Sequence, residues 1–316
     1  MEENNKMKKR YGILMVLVAI LMVSGQSCES NESKGDGVFL GGKEGLFIDF
    51  LDDAPSLGGN YKGEEFPIDL ELINKGETVI AQGAAHIYLT GALYGSAAVR
   101  TTLAGQQTTN DVLISAIEEG EGGVVEDSIV MPLGTASYEG EILGDSVPLD
   151  VRASVCYPYQ TKVQIDNFCI PSTTRRTTGT QECDIDGTQN ILESNANSGA
   201  PVYVSSIREK EGSDFVRVTL DINNVGSGEV VGAACARDIQ RSNLNEVTVT
   251  MPTNFECTFK AGTSYRGIVE LRGGHGVLRC KRAVNNPGNS FKESLGITLS
   301  YNYMQEVSKT ITINKA

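Results

Sequence analysis

Two stretches of the chain repeat one pattern, and that pattern leaves few ways to fold. Residues 66–76 read FPIDLELINKG and residues 215–226 read FVRVTLDINNVG. Ile68, Leu70, Leu72, Asn74 and Gly76 match Val218, Leu220, Ile222, Asn224 and Gly226 without a gap. Apolar side chains at every second position bury one face and leave the other wet, which is the period of a β-strand. The Asn-x-Gly that follows predicts a turn, because Asn and Gly tolerate positive φ. Two copies predict two versions of one sandwich.

The rest of the chain agrees with an all-β fold. It holds 35 glycines and no tryptophan, and Val, Ile and Thr fill its periodic segments. Strands are expected at residues 46–51, 66–73, 86–89, 124–131, 138–143, 149–157 and 162–170. A second set is expected at 201–207, 215–224, 229–235, 246–251, 255–259, 265–271, 277–281, 295–303 and 307–313. Turn signals recur about every 8–12 residues, a spacing that suits a β-sandwich. Residues 91–123, rich in small residues and Thr, read as a long surface loop. The expected organisation is a signal or anchor at 1–28, a flexible tether at 29–45, a first sandwich at 46–170, a linker or disulfide-pinned loop at 171–199 and a second sandwich at 200–316.

The strand-and-turn signature of residues 68–76 and 218–226 resembles the B-strand of immunoglobulin-like, CARDB-type adhesion domains. Together with the export signal, Cys156-Tyr157-Pro158-Tyr159 and the later Cys169, it makes the chain similar to uncharacterised exported proteins of archaea with tandem domains of this kind. The resemblance implies two immunoglobulin-like antiparallel sandwiches in a surface-located binding or structural module. It carries no catalytic residues.

Localisation is read from the N-terminus. Lys6, Lys8, Lys9 and Arg10 precede the apolar run GILMVLVAILMVSG at residues 12–25. That run is short of the roughly 20 residues a membrane-spanning helix needs, so an export signal is expected. Cys28 follows Ser27 directly, as at a lipoprotein processing site, although Gly25 and Gln26 depart from the usual pattern. The segment is thus either cleaved, with Cys28 lipidated, or retained as an anchor. Either way the body lies outside the cytoplasmic membrane, held to it or to the cell surface by the N-terminus, where disulfides persist. Net charge is −13, an acidic balance that repels nucleic acid. The expected partner is a surface protein or a glycan.

Of seven cysteines, six remain beside Cys28, an even number suited to pairing. Cys257 and Cys280 lie on predicted strands flanking residues 265–271 and form the favoured pair. Cys169–Cys183 would close the Thr-rich loop, and Cys156–Cys235 would then bridge the two domains and fix their angle. Zinc is the rival reading, but no C-x-x-C occurs. Asp184 and Asp186 begin like a calcium loop, with carboxylates at alternate positions. Thr188, the early Gly187 and the misplaced Glu193 depart from that pattern, and the alternative is a solvated acidic loop beside a disulfide. His86 reads as a partly buried strand residue and His275 as part of a turn. Tyr157, Tyr159, Tyr301 and Tyr303 stand two apart on strands, able to line a sugar-binding face but more often packed at sandwich edges. No nucleophile elbow or phosphate loop occurs, so no cofactor and no enzyme activity are expected. The role expected is binding, adhesion or scaffolding, with a self-associating structural subunit as the alternative.

Overall fold

Period-two sequence becomes antiparallel sheet throughout. The computed structural model describes residues 38–172, 183, 187–191, 195–239, 243–286 and 288–316. Cys28, Asp184 and Asp186 lie outside the described residues, as do the apolar segment and the tether up to Gly37. The first half contains β1 (Leu46–Phe50), β2 (Asn60–Tyr61), β3 (Glu65–Asn74), β4 (His86–Gly91), β5 (Val99–Thr101), β6 (Gln107–Thr109), β7 (Glu118–Gly120), β8 (Gly123–Val125), β9 (Asp127–Tyr138) and β10 (Ser146–Ile170). The second half contains β11 (Gly187–Asn190), β12 (Val202–Glu211), β13 (Phe215–Asn224), β14 (Glu229–Val231), β15 (Glu246–Thr250), β16 (Phe255–Thr258), β17 (Ala261–Gly262), β18 (Arg266–Glu270), β19 (His275–Ala283) and β20 (Phe291–Asn314).

The two halves repeat one strand order. One sheet runs β1-β3-β9-β5 and another runs β11-β12-β13-β19-β16, with the repeated strands β3 and β13 in matching places. The other sheet of both halves is continuous, β17-β18-β15-β20-β10-β4-β6, with β14 and β2 also on β20. From its central pair, β10 and β20, the order β10-β4-β6 on one side mirrors β20-β15-β18 on the other. Tyr157 faces Tyr303 and Tyr159 faces Tyr301 across this antiparallel pair. Exchanging 157 with 301 and 159 with 303 leaves both contacts unchanged, so an approximate twofold axis passes between β10 and β20. The flanking register obeys it too, since Val155 pairs with Ile87 and Leu299 pairs with Val249.

Alternation decides the core. In β3, Phe66, Ile68, Leu70 and Leu72 are buried while their neighbours are exposed or half-buried, and in β13 Val216, Val218, Leu220 and Ile222 repeat this. The buried side chains of both halves form one continuous cluster, and Gly37–Ala316 is one compact unit.

Three expectations change. Residues 149–170 and 295–313 were each expected as two strands, yet β10 and β20 are single strands of 25 and 24 residues. Pro158 does not break β10 because the edge on which Gln164 donates to Ala196 has no strand at that point. β4 pairs only as far as Cys156, and the next outer contact is Val163 with Asn197; a strand accepts proline where no ladder bond is needed. Second, residues 91–123 contain β5, β6 and β7, each three residues long. Strands so short carry one alternation or none, which leaves no periodic signal. Third, β9 ends at Tyr138 and residues 139–145 hold no strand.

Candidate functional site

The repeated Asn-x-Gly turns sit against the tyrosines of the central pair. Asn74 is fully buried. Its Nδ2 donates to the carbonyls of Thr78 and Ser115, each at 2.8 Å. Its Oδ1 accepts from Gly76 N at 3.1 Å and from the Tyr159 hydroxyl at 3.2 Å. Asn224 repeats the arrangement: Nδ2 donates to Gly228 O at 2.8 Å, and Oδ1 accepts from Gly226 N at 3.3 Å and Tyr303 OH at 3.1 Å. Neither turn glycine has positive φ, so the reason for glycine differs from the expected one. A Cβ on Gly76 would collide with the Tyr159 hydroxyl and one on Gly226 with that of Tyr303; close approach, rather than backbone freedom, requires glycine there.

The other two tyrosines obey the same axis. Tyr157 OH accepts from Leu46 N at 3.0 Å and donates to Gln305 Oε1 at 2.8 Å. Tyr301 OH lies 3.0 Å from Thr161 Oγ1, whose proton goes to Val202 O at 2.6 Å. The four rings pack with centroids 5.7 to 6.4 Å apart. All four are buried, and Tyr303 also borders the cleft described below. Burial raises all four phenols, Tyr303 to about 12. They therefore stay neutral hydrogen-bonding groups at physiological pH.

The symmetry fails beside these turns. After Gly76 comes Glu77, whose Oε2 accepts from Gly199 N at 2.6 Å and Gly41 N at 3.0 Å and whose Oε1 accepts from Leu40 N at 3.1 Å. Glu77 N returns a bond to Gly199 O. Beside it, residues 196–198 add to the outer edge of β10: Gln164 N donates to Ala196 O, Ser198 N to Lys162 O and Lys162 N to Ser198 Oγ. After Gly226 comes Ser227, too short to reach as Glu77 does. Lys75 N bonds Gly45 O as Val225 N bonds Pro201 O, so Gly42 and Lys43 correspond to Ser198 and Gly199. Gly42 instead accepts from Ala200 N and Tyr203 OH on the filled side. What remains on the other side is a cleft of about 510 Å³, lined by Lys43, Phe47, Pro201, Ser227, Gln305 and Val307 among others.

A second feature ties the halves together. The structure joins Cys156–Cys235, Cys169–Cys183 and Cys257–Cys280, the same three pairs set out above. Beside the first bridge, Arg237 donates to the carbonyls of Leu89, Gly105 and Gln106. Its guanidinium lies 4.1 Å from the Tyr94 ring centroid and 5.3 Å from that of Tyr88. A shallow groove here is lined by His86, Tyr88, Thr108 and Arg237, with His86 half-buried. His275 is on β19, 3.4 Å from Asp221, far in sequence and element from His86. Among the described residues no three His, Cys, Asp or Glu side chains gather to hold a metal ion.

One buried acid escaped the sequence reading. Glu209 on β12 is 4 % exposed. Its Oε2 accepts from Cys169 N at 2.9 Å, and among the described residues its Oε1 meets no hydrogen-bond partner. Burial lifts its pKa from the usual 4.5 to about 7, against the opposing Cys169 hydrogen bond. The signal was the alternation of Ile207 and Glu209, hidden because a bulge between Val204 and Ser206 shifts the register of β12.

No family model matches the chain, and no curated protein matches it. Among solved structures the chain has a weak match to a DUF4466 family protein from Parabacteroides merdae ATCC 43184, at 10% identity, a TM-score of 0.15 and coverage of 77% of this chain and 99% of that one.

Proposed function

We propose that this is an exported, non-catalytic binding or scaffolding protein, held at the outer face of the cytoplasmic membrane or the cell surface through its N-terminus, and built of two immunoglobulin-like sandwich repeats. The observation that carries this reading is the way the repeats are joined. β10 and β20 each run through both halves, and the Cys156–Cys235 bridge with Arg237 fastens residues 235–237 of the second half onto β4, β10 and the turn before β6 of the first. Strands shared in this way hold two lobes at a fixed angle, which suits a part that positions other molecules. Three disulfides fit an oxidising compartment.

Cross-linking on intact cells, with captured species identified by mass, tests the reading. A single heterologous protein partner is the expected result. A ladder of self-multiples would overturn it in favour of a structural subunit that assembles through open strand edges.

A further inference from the structure

We infer that the groove beside the Cys156–Cys235 bridge binds a short acidic saccharide, with a sugar carboxylate at Arg237 and sugar hydroxyls on His86, Tyr88, Gln107 and Thr109. This goes beyond the proposed role, because the groove takes a small ligand whether or not the body also docks a protein.

The groove follows from alternation at a sheet edge. β6 ends the nine-stranded sheet and lies beside β4. His86 pairs with Thr109 and Tyr88 with Gln107. Residues opposite each other in a ladder share a face, and so do residues two apart. Ile87 and Leu89 belong to the core cluster, so the other four form a polar patch on the opposite face. Cys235, Ala236 and Arg237 wall one side of it. The space between is about 590 Å³, within the range of roughly 300–1,000 Å³ common to small-ligand sites.

The polar groups of this patch are uncommitted. Among the described residues, the side chains of His86, Tyr88, Gln107 and Thr109 make no hydrogen bond. Burial raises the Tyr88 phenol, against the lowering influence of Arg237, so it is a neutral hydroxyl that can donate and accept. Imidazole, amide and hydroxyl groups all have this double capacity, which neighbouring sugar hydroxyls require. The His86 and Tyr88 rings lie within 13° of parallel with centroids 6.4 Å apart, a flat wall for the C–H face of a sugar ring.

Charge selects the acidic sugar. The chain carries a net −13, yet none of the residues lining this groove is acidic. Arg237 gives three of its five N–H groups to the carbonyls of Leu89, Gly105 and Gln106. Its charge is thus held in place by neutral groups, and two N–H groups remain. That suits a single carboxylate through charge-assisted bonds. A phosphate, with nearly two charges and three acceptor oxygens, needs more donors than this. Of the lining residues only Cys235 and Ala236 lack a polar side chain, which leaves little surface for the side chains of a peptide.

Calorimetric titration of the full chain tests this, with trisaccharides of galacturonate and of glucuronate as probes. The neutral trisaccharide of galactose and the peptide acetyl-Gly-Ala-Gly are the comparisons. At least one acidic trisaccharide should bind, at least about tenfold tighter than the neutral sugar or the peptide. His86→Phe keeps the ring and removes both nitrogens, and Gln107→Ala removes the amide. Each should weaken binding by about threefold to tenfold while thermal unfolding stays as in the parent. Ser227→Ala, in the other cleft, should leave binding unchanged. No binding of either acidic sugar overturns the proposal, as does binding that His86→Phe and Gln107→Ala leave intact. Equal affinity for the neutral sugar overturns the role of Arg237, and equal affinity for the peptide overturns the assignment to a saccharide.

Discussion

Glu209 is the residue at which burial and charge oppose each other most plainly. One carboxylate oxygen has the Cys169 N–H, the other has no partner among the described residues, and the side chain is almost wholly out of water. The raised pKa is therefore a statement about stability. Below the usual carboxylate value of 4.5 the group is protonated in both folded and unfolded chains. Between 4.5 and about 7 only the unfolded chain gives up its proton, so the folded state loses ground as pH rises through this window. The full difference is on the order of 3 kcal/mol, one unit being 1.36 kcal/mol. Glu209→Gln keeps an acceptor for Cys169 N and carries no charge. Its unfolding free energy, measured by denaturant titration, should be higher than that of the parent at pH 8, with the gap narrowing as pH falls to 5. A gap that does not change with pH would mean that Glu209 is charged and satisfied in the folded protein.

At the scale of elements, the latch formed by residues 235–237 acts as one device with two fastenings. The Cys156–Cys235 bridge closes a 79-residue separation, and Arg237 adds three carbonyl contacts and two aromatic faces. Replacing both cysteines by alanine should cost about 2–4 kcal/mol. Arg237→Ala should cost less in that background than in the parent, because a loop already released has no fixed position for the guanidinium to keep. Chemical denaturation of the four proteins of this cycle measures the coupling, and strict additivity would show two independent attachments. The elements differed in how far the sequence disclosed them. β3 and β13 were legible because five residues in each repeat one pattern. Cys257–Cys280 was legible because both residues lie on strands, and those strands prove to place them directly opposite. The unity of β10 was hidden by Pro158, whose tolerance depends on a gap in the neighbouring strand. The open cleft was hidden more deeply. The exchange of Glu77 for Ser227 is visible in the aligned repeats, but its meaning rests on Gly199, 122 residues away from Glu77.

The whole molecule follows from strands that belong to both halves. Two sandwiches joined by a linker can unfold separately, each with its own core. Here the side chains of β10 and β20 serve the first half along one stretch and the second along the next, and the buried residues form a single cluster. Unfolding one half would expose the tyrosine crossing and free the edge on which the other half is built. The hydrogen bonds that the axis relates, Tyr159 to Asn74 and Tyr303 to Asn224, would be lost together. Leu70 and Leu220 are equivalent, fully buried positions on β3 and β13. Alanine at either should cost about 2–5 kcal/mol through the cavity it leaves. Calorimetry should show one transition in the parent, and each substitution should lower that same transition as a whole. Residues of both halves would then melt together, because neither keeps a complete sheet once the central pair is gone. A Leu220→Ala protein in which the second half melts early, while the first keeps its parent melting temperature, would show that the shared strands do not couple the lobes.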